Sequence, residues 1–303
     1  MSRLPRMPRP SRAETTDGLL LVDKPVGVSS HDVVAVARRA LGTSRIGHAG
    51  TLDPFATGLL VLLVGRATRL LPHLAGEPKV YDATIRFGAE TDTEDHLGAT
   101  VREAPLPTAT DVHAALPAFV GTFPQVPPAY SAKRIAGRRA YDLARRGEAV
   151  DLAPVEITVH RWDVAEMTET AGGVAAMRAV ITCAGGTYVR SLARDLGRRC
   201  GSAAHLTALR RTASGPFRVT DAVTLEALQD GGAFVRPALD ALPDLPRQVL
   251  TAEEVAKVAR GIDVAATVPG AWGALTAPDT GVLVALAERE GDRWRPRVVM
   301  HAV

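Results

Sequence analysis

Gly47-His48-Ala49-Gly50-Thr51-Leu52-Asp53-Pro54-Phe55-Ala56-Thr57-Gly58, flanked by Arg45-Ile46 and Leu59-Leu60, is the stretch around which the chain is organised. Gly47, Gly50 and Gly58 free the backbone and Pro54 fixes it, so no helix or strand runs through the whole of it. The apolar run Leu59–Val64 follows at once and reads as a buried strand. A rigid polar loop carrying His48, Thr51 and Asp53 is therefore pinned at the entrance to a core strand. Loops held on a rigid scaffold are where catalytic groups tend to sit. Asp53 is the first candidate for covalent carboxylate chemistry, while Asp-Pro is also an ordinary turn pair; these residues alone leave both readings open.

Outward from that loop, the totals narrow the classes. The 303 residues are 46% hydrophobic and 23% charged, the balance of a folded protein with one large domain, or one large and one small. Lys and Arg number 36 against 33 Asp and Glu, a net charge of +3, so nucleic-acid binding turns on local clustering rather than on the total. The two cysteines, Cys183 and Cys200, form neither a disulfide framework nor a metal-ligand spacing, and they fit a reducing compartment. No apolar run reaches membrane-spanning length. Met1–Arg12 alternates Arg with Pro and lacks the apolar segment of a signal peptide. The expectations are a disordered basic tail over residues 1–16, solvated or brushing RNA phosphates, and a cytoplasmic protein without a membrane partner.

Before the loop, Leu19–Val22 reads as a strand stopped by Asp23-Lys24-Pro25, and Ser29 or Ser30 caps a helix with apolar positions Val33, Val36, Ala37, Ala40 and Leu41. Arg38 and Arg39 suit the negative end of that helix. After the loop, Val80–Phe87 alternates, with Tyr81, Ala83, Ile85 and Phe87 on one face, and predicts a half-buried strand with an antiparallel neighbour. Glu90–Gly98 fails the calcium-loop pattern at His96 and Leu97 and reads as a solvated acidic turn. A short helical pattern covers Thr110–Val120. Ala129–Val150 mixes Lys133, Arg134, Arg138, Arg139, Arg145 and Arg146 with Tyr130 and Tyr141, the phosphate attraction plus stacking that single-stranded nucleic acid calls for; an exposed cationic helix is the plainer reading. Val155–Val164 and Val174–Cys183 alternate as strands, and after Gly185-Gly186-Thr187 a helix sets Arg190, Arg194 and Arg198 in one basic stripe. Ser202–Arg211 continues this unit to Gly215-Pro216, and Asp221–Leu228 is a short helix capped near Thr224. Past a linker at Pro243–Pro246, a helix at Thr251–Arg260 and apolar segments at 272–276, 282–287 and 297–301 make a small β-rich appendage.

Several chemistries are excluded by pattern. The eight histidines show no HxxxH, and there is no CxxC, so no metal site is expected. No phosphate loop, dinucleotide fingerprint or Gly-x-Ser-x-Gly elbow is present.

The motif Gly47–Gly58 resembles the catalytic motif of the TruB family of tRNA pseudouridine synthases. Gly18–Pro25 with Ser29-Ser30, Lys79-Val80-Tyr81, Pro127–Lys133, Gly186-Thr187-Tyr188-Val189-Arg190 and Ala204-His205-Leu206 with Leu209-Arg210-Arg211 resemble that family in order and spacing. The resemblance spans about residues 18–228. It implies an α+β fold with a mixed, mostly antiparallel central sheet flanked by helices, over residues 17–246, with a basic RNA-binding segment at about 127–150. It further implies a small PUA-like RNA-binding domain at 247–303. The implied reaction is a cofactor-free isomerisation of the T-loop uridine, position 55 of tRNA. Carried over by the motifs, Asp53 is the nucleophile, at either ribose C1′ or base C6, and Arg190 keeps it ionised. Tyr81 stacks on the base and serves in proton transfer, His48 fills the space the uridine leaves, and Tyr188 and Leu209 line the pocket. Lys24 braces the loop. Lys133, Arg138, Arg139, Arg194 and Arg210 are the expected phosphate contacts, and nothing calls for more than a monomer. A tRNA-binding and folding chaperone and a guide-RNA-dependent synthase are the alternatives.

Overall fold

In a computed structural model the described residues are 17–74, 77–131, 152–231 and 235–300, with the backbone of 134–135 and 138–139. They fall into two compact units. One comprises Met1–Pro54, Leu59–Gly76 and Pro216–Val303, the other Phe55–Gly58 and Glu77–Gly215.

The first unit opens with β1 (Gly18–Lys24). Helix α1 (Ser30–Ala40) starts at Ser29, whose hydroxyl accepts from the Asp32 amide while the Asp32 carboxylate accepts from the Ser29 amide, satisfying two of the donors a helix start leaves open. β2 (Ile46–His48) runs antiparallel to β3 (Thr57–Val64). Leu20, Val22, Leu60, Leu62 and Val64 pack against Val33, Val34, Val36 and Ala37 of α1. Leu19, Leu21, Leu59, Val61 and Leu63 pack on the opposite side against Leu283, Leu286, Val298 and Met300. Burial on both faces is why these strands read as continuous apolar runs rather than alternating ones.

The second unit centres on β4 (Lys79–Phe87), followed by the hairpin β5 (Ala89–Thr91) and β6 (Thr100–Glu103), helix α2 (Ala109–Ala115) and β7 (Gly121–Gln125). β8 (Arg134–Ile135) and β9 (Arg138–Arg139) pair as a two-stranded hairpin. β10 (Val155–Thr170), β11 (Gly173–Cys183), α3 (Val189–Arg199) and β12 (Ala204–Ser214) complete the unit. The strands lie in the order β12-β4-β11-β10-β7, every neighbour antiparallel. Thr57 and Gly58 of β3 belong here and pair parallel with Arg210 and Arg211, which makes the sheet mixed. On β4 the predicted alternation holds: Tyr81, Ala83, Ile85 and Phe87 are buried and the residues between them are not.

Two expectations change. Ser202–Arg211 does not prolong the preceding helical unit. Gly201 turns the chain with φ +68°, and β12 then returns along β4. Gly197 permits this return, because a Cβ there would stand 2.6 Å from the Ala204 amide nitrogen. Glu90–Gly98 is not a solvated turn either, since Glu90, Thr91, Glu94 and Asp95 are buried.

The chain re-enters the first unit with β13 (Phe217–Arg218) and β14 (Val223–Thr224). There α4 (Leu225–Gln229) is capped by Thr224, and β15 (Arg236–Pro237) lies antiparallel to β1. β16 (Arg247–Val249), α5 (Ala252–Ala259), β17 (Val264–Ala265), β18 (Trp272–Thr276), β19 (Leu283–Glu290) and β20 (Arg293–Val299) follow. Their strands form one sheet in the order β16-β18-β19-β20-β17 around buried Trp294, whose indole N–H donates to Gln248 Oε1 at 2.7 Å. No helix among the described residues is long and apolar enough to cross a membrane.

Candidate active site

Both neighbours of Asp53 are clamped. The Ser30 hydroxyl donates to the Leu52 carbonyl at 3.0 Å and accepts from the Leu52 amide at 2.8 Å, so α1 holds the residue before Asp53 by its whole main chain. On the other side the Pro54 carbonyl accepts from the Gly27 amide at 2.8 Å and from Lys24 Nζ at 3.4 Å. Lys24 is fully buried and donates as well to the carbonyls of Val28 at 2.7 Å and Pro25 at 3.0 Å. A turn has few internal partners for its own carbonyls, and a buried ammonium with three donors supplies them. Asp53 itself is half-buried between these clamps. His48 ends β2, with its ring edge-on to that of His31 at 5.7 Å.

In the second unit Tyr81 sits mid-sheet, opposite Ile181 on β11 and Arg211 on β12. Ala83, two residues on, faces Leu209, so Tyr81 and Leu209 share one face of adjacent strands. Arg210 faces Asp82 on the other side, with Nη1 3.5 Å from Thr57 Oγ1. Tyr188 is the N-cap of α3, and its main chain is gripped by Gln125. Arg190, only 4% exposed, donates from Nη1 to the Thr93 carbonyl at 2.8 Å and from Nη2 to the Tyr130 carbonyl at 2.9 Å. Thus Tyr81 with Leu209, and Tyr188 with Arg190, are brought together as pairs that lie far apart in sequence or at a helix start.

Within the arginine stripe on α3, Arg194 and Arg198 are bonded to acids. Arg194 is 9% exposed; its guanidinium donates to Glu94, to Asp195 at 2.8 Å and to the Val126 carbonyl at 3.0 Å. Arg198 pairs with Glu90 at 2.7 Å, and Arg102 pairs with the same carboxylate at 2.6 Å. The phosphate role expected of Arg194 is therefore corrected: Glu94 and Glu90, a hundred residues away, neutralise Arg194 and Arg198. Burial pushes the Glu94 carboxyl up, even with Arg194 and Ser191 bonded to it. Burial acts on Glu90 in the same sense, but the bonds from Arg198 and Arg102 outweigh it and hold the group below its ordinary value. Burial lowers the Lys79 ammonium and pushes the Cys183 thiol up to about 11, consistent with an inert thiol. Lys133 and the side chains of Arg138 and Arg139 lie outside the described residues, as does the 1–16 tail. No group of three His, Cys, Asp or Glu among the described residues could hold a metal ion.

Residues 38–189 match the profile described as TruB family pseudouridylate synthase (N terminal domain), and residues 190–256 match the tRNA pseudouridylate synthase B C-terminal domain. The chain belongs to the TruB family of pseudouridine synthases. It is 45% identical over 288 residues to the tRNA pseudouridine synthase B of Thermobifida fusca, covering 93% of this chain and 98% of that protein. With the enzyme of the same name from Nocardia farcinica it shares 44% identity over 299 residues, 95% of each chain. Among solved structures, an archaeal box H/ACA sRNP Nop10–Cbf5 complex superposes with a TM-score of 0.68 and 24% identity, over 97% of this chain and 89% of that one. A Cbf5–Nop10–Gar1 complex gives 0.68 and 24% over 94% and 85%. Such likeness shows the pseudouridine synthase fold, α+β with a C-terminal β-rich sheet. The TruB-family enzymes are isomerases, and this chain is one of them.

Gln125, Ser30 and Glu94 went unread as site residues in the sequence. Ser30 lay inside a recognised motif, and Gln125 stands two residues before the Pro127–Lys133 motif. Nothing local marks Glu94.

Proposed function

We propose that this chain converts the T-loop uridine, position 55 of tRNA, to pseudouridine with Asp53 as nucleophile. The observation that carries the reading is the clamping of Leu52 and Pro54, which fixes the backbone on both sides of Asp53 in a chain of this family. A base stacked in a folded loop must be turned out to react, at a cost of a few kcal/mol. His48 occupies the vacated space. Tyr81 stacks on the extruded base with Leu209 beside it, and Tyr188 lines the pocket. Asp53 attacks at ribose C1′ or base C6, the glycosidic C–N bond breaks, and the base turns while held. C5 then bonds to C1′ and the proton displaced from C5 ends on N1, so the atoms balance without a co-reactant. By the family motif, Arg190 is the cationic partner of the Asp53 carboxylate. Lys133, Arg138, Arg139 and Arg210 supply phosphate contacts, with the 247–303 segment as a further RNA-binding element.

The test is pseudouridine formation on T-arm RNA by the wild type and by Asp53→Asn, with RNA in which the target uridine is replaced as a control. Binding retained with turnover lost is expected of the variant. Product formed by Asp53→Asn removes the nucleophile assignment.

A further inference from the structure

Gln125 ends β7 and is 1% exposed, yet its carboxamide does not serve the sheet. Its Nε2–H donates to the Tyr188 carbonyl at 3.0 Å and its Oε1 accepts from the Tyr188 amide at 2.9 Å. Two bonds to the two main-chain groups of one residue reproduce what a neighbouring strand would provide. The β7 backbone is already committed to β10, where Gln125 faces Val155, so the side chain makes this second pairing.

Tyr188 needs such a partner. It is the N-cap of α3 with φ −97° and ψ 102°, and no side chain caps the helix there. The preceding Gly185-Gly186-Thr187 turn includes a left-handed Gly186 with φ +84° and offers no ladder of its own. The Tyr188 carbonyl also accepts from the Leu192 amide of the first helical turn at 3.1 Å, while Gln125 alone bonds both the amide and the carbonyl, and so sets the direction of the Tyr188 ring and the start of the helix that carries Arg190.

Beyond this contact at its N-cap, α3 is tied to the segment 125–130 by its arginines. Arg194 donates to the Val126 carbonyl at 3.0 Å and Arg190 to the Tyr130 carbonyl at 2.9 Å. The chain then runs directly into the basic Lys133–Arg146 stretch. We propose that Gln125 is a positioning residue, which registers the segment entering the RNA-gripping stretch against Tyr188 and Arg190, so that a seated RNA presents its base at the reacting groups. This rests on the assignment of Tyr188 and Arg190 as site residues under the proposed function.

The experiment measures single-turnover pseudouridine formation, tRNA dissociation constant and melting temperature for wild type, Gln125→Ala and Gln125→Glu. Gln125→Ala is expected to lose about 10- to 100-fold in rate, the scale set by small misplacements of reacting groups, with the dissociation constant within about twofold of wild type. Gln125→Glu, which keeps the acceptor and loses the donor, is expected between the two. A purely structural role would lower the melting temperature and the active fraction without slowing the folded enzyme. Should Gln125→Ala not fold, Gln125→Glu decides: a several-fold loss in rate at unchanged affinity supports the inference. A wild-type rate in the variant that folds overturns it. Absence of product from the wild type overturns the proposed function and this inference together, whereas an active wild type with an equally active variant overturns the inference alone.

Discussion

Replacing Lys24 with Met tests the clamp beneath Asp53. The side chain is fully buried, and Nζ donates to Val28 O at 2.7 Å, Pro25 O at 3.0 Å and Pro54 O at 3.4 Å. A bond from a charged donor contributes about 1.5–3 kcal/mol, so the two short ones together give roughly 3–6 kcal/mol. Against that stands the cost of keeping an ammonium out of water, several kcal/mol even after relaxation, which Met of similar length does not incur. These two contributions roughly cancel, and what remains is the cost of leaving the half-buried Val28 and Pro25 carbonyls without their donor, about 1–2 kcal/mol each, so Lys24→Met is destabilised by about 2–4 kcal/mol. For a protein of this size that is a fall of roughly 5–15 °C in melting temperature. Turnover should fall further than stability alone accounts for, since the Pro54 carbonyl adjoins Asp53 and the Val28 carbonyl precedes α1, which holds Leu52. Thermal denaturation followed by absorbance or circular dichroism, with turnover at saturating tRNA below the transition, reads both effects. A Lys24→Met protein that melts within 1 °C of wild type and turns over at the wild-type rate would refute the clamp.

Two other substitutions separate backbone and charge effects. Gly58→Ala puts a Cβ 2.3 Å from the Arg211 carbonyl oxygen at φ +100°, where Gly27→Ala, at φ +86°, meets nothing within 4 Å. Gly27→Ala should cost only the left-handed strain, about 1–2 kcal/mol, and Gly58→Ala clearly more; equal shifts in urea midpoint would contradict the close approach of β3 to β12. Arg194→Ala leaves Glu94 buried without its partner, so a loss of about 3–5 kcal/mol in stability is expected. The slope of log affinity for tRNA against log salt should stay as in wild type, and a slope smaller by about one would restore a phosphate contact.

Much of the frame was legible from short-range pattern. β4 alternates because one face is buried, β1 and β3 run apolar because both are, and the α1 start was marked by Ser29, which caps it. β12 was not legible. Its register against β4 shifts between Leu206 and Ala208 and again between Arg211 and Ala213, and each shift breaks the period of two by which a strand is recognised. Fully buried Arg211 removes the remaining contrast between inside and outside. The charge errors share one cause. A local count finds acids at 90–95 and bases at 190–198 and assigns the acids to solvent and the bases to phosphates, whereas folding sets them against each other across a hundred residues. The loop carrying Asp53 was legible from its turn formers and the strand after it, but its residues left a catalytic aspartate and a plain Asp-Pro turn equally open, and only the resemblance to the TruB motif singled Asp53 out. Of its clamps, the brace by Lys24 was implied by the resemblance, whereas that by Ser30 was not read, since it reaches Leu52 from α1 across 22 residues.

Those clamps and the ones in the second unit follow one rule. Ser30, Lys24, Gln125, Arg190 and Arg194 all bond main-chain groups rather than only other side chains. The groups they hold, at Leu52, Pro54, Val126, Tyr130 and Tyr188, lie in turns or at element ends, where no ladder supplies partners. A bond to the main chain restrains the path of the loop itself, so the position of Asp53 or Tyr188 does not depend on its own side chain finding a neighbour. A rearrangement that releases a base and recaptures it through another atom needs such fixed positions twice, once for each bond. It follows that substitutions at Lys24, Ser30 and Gln125 should act on the rate through geometry, though none of the three need touch the reacting atoms. A substitution there that kept the bond pattern, such as Ser30→Thr, should keep the rate as well. Ser30→Ala, which leaves both main-chain groups of Leu52 without their partner, should not.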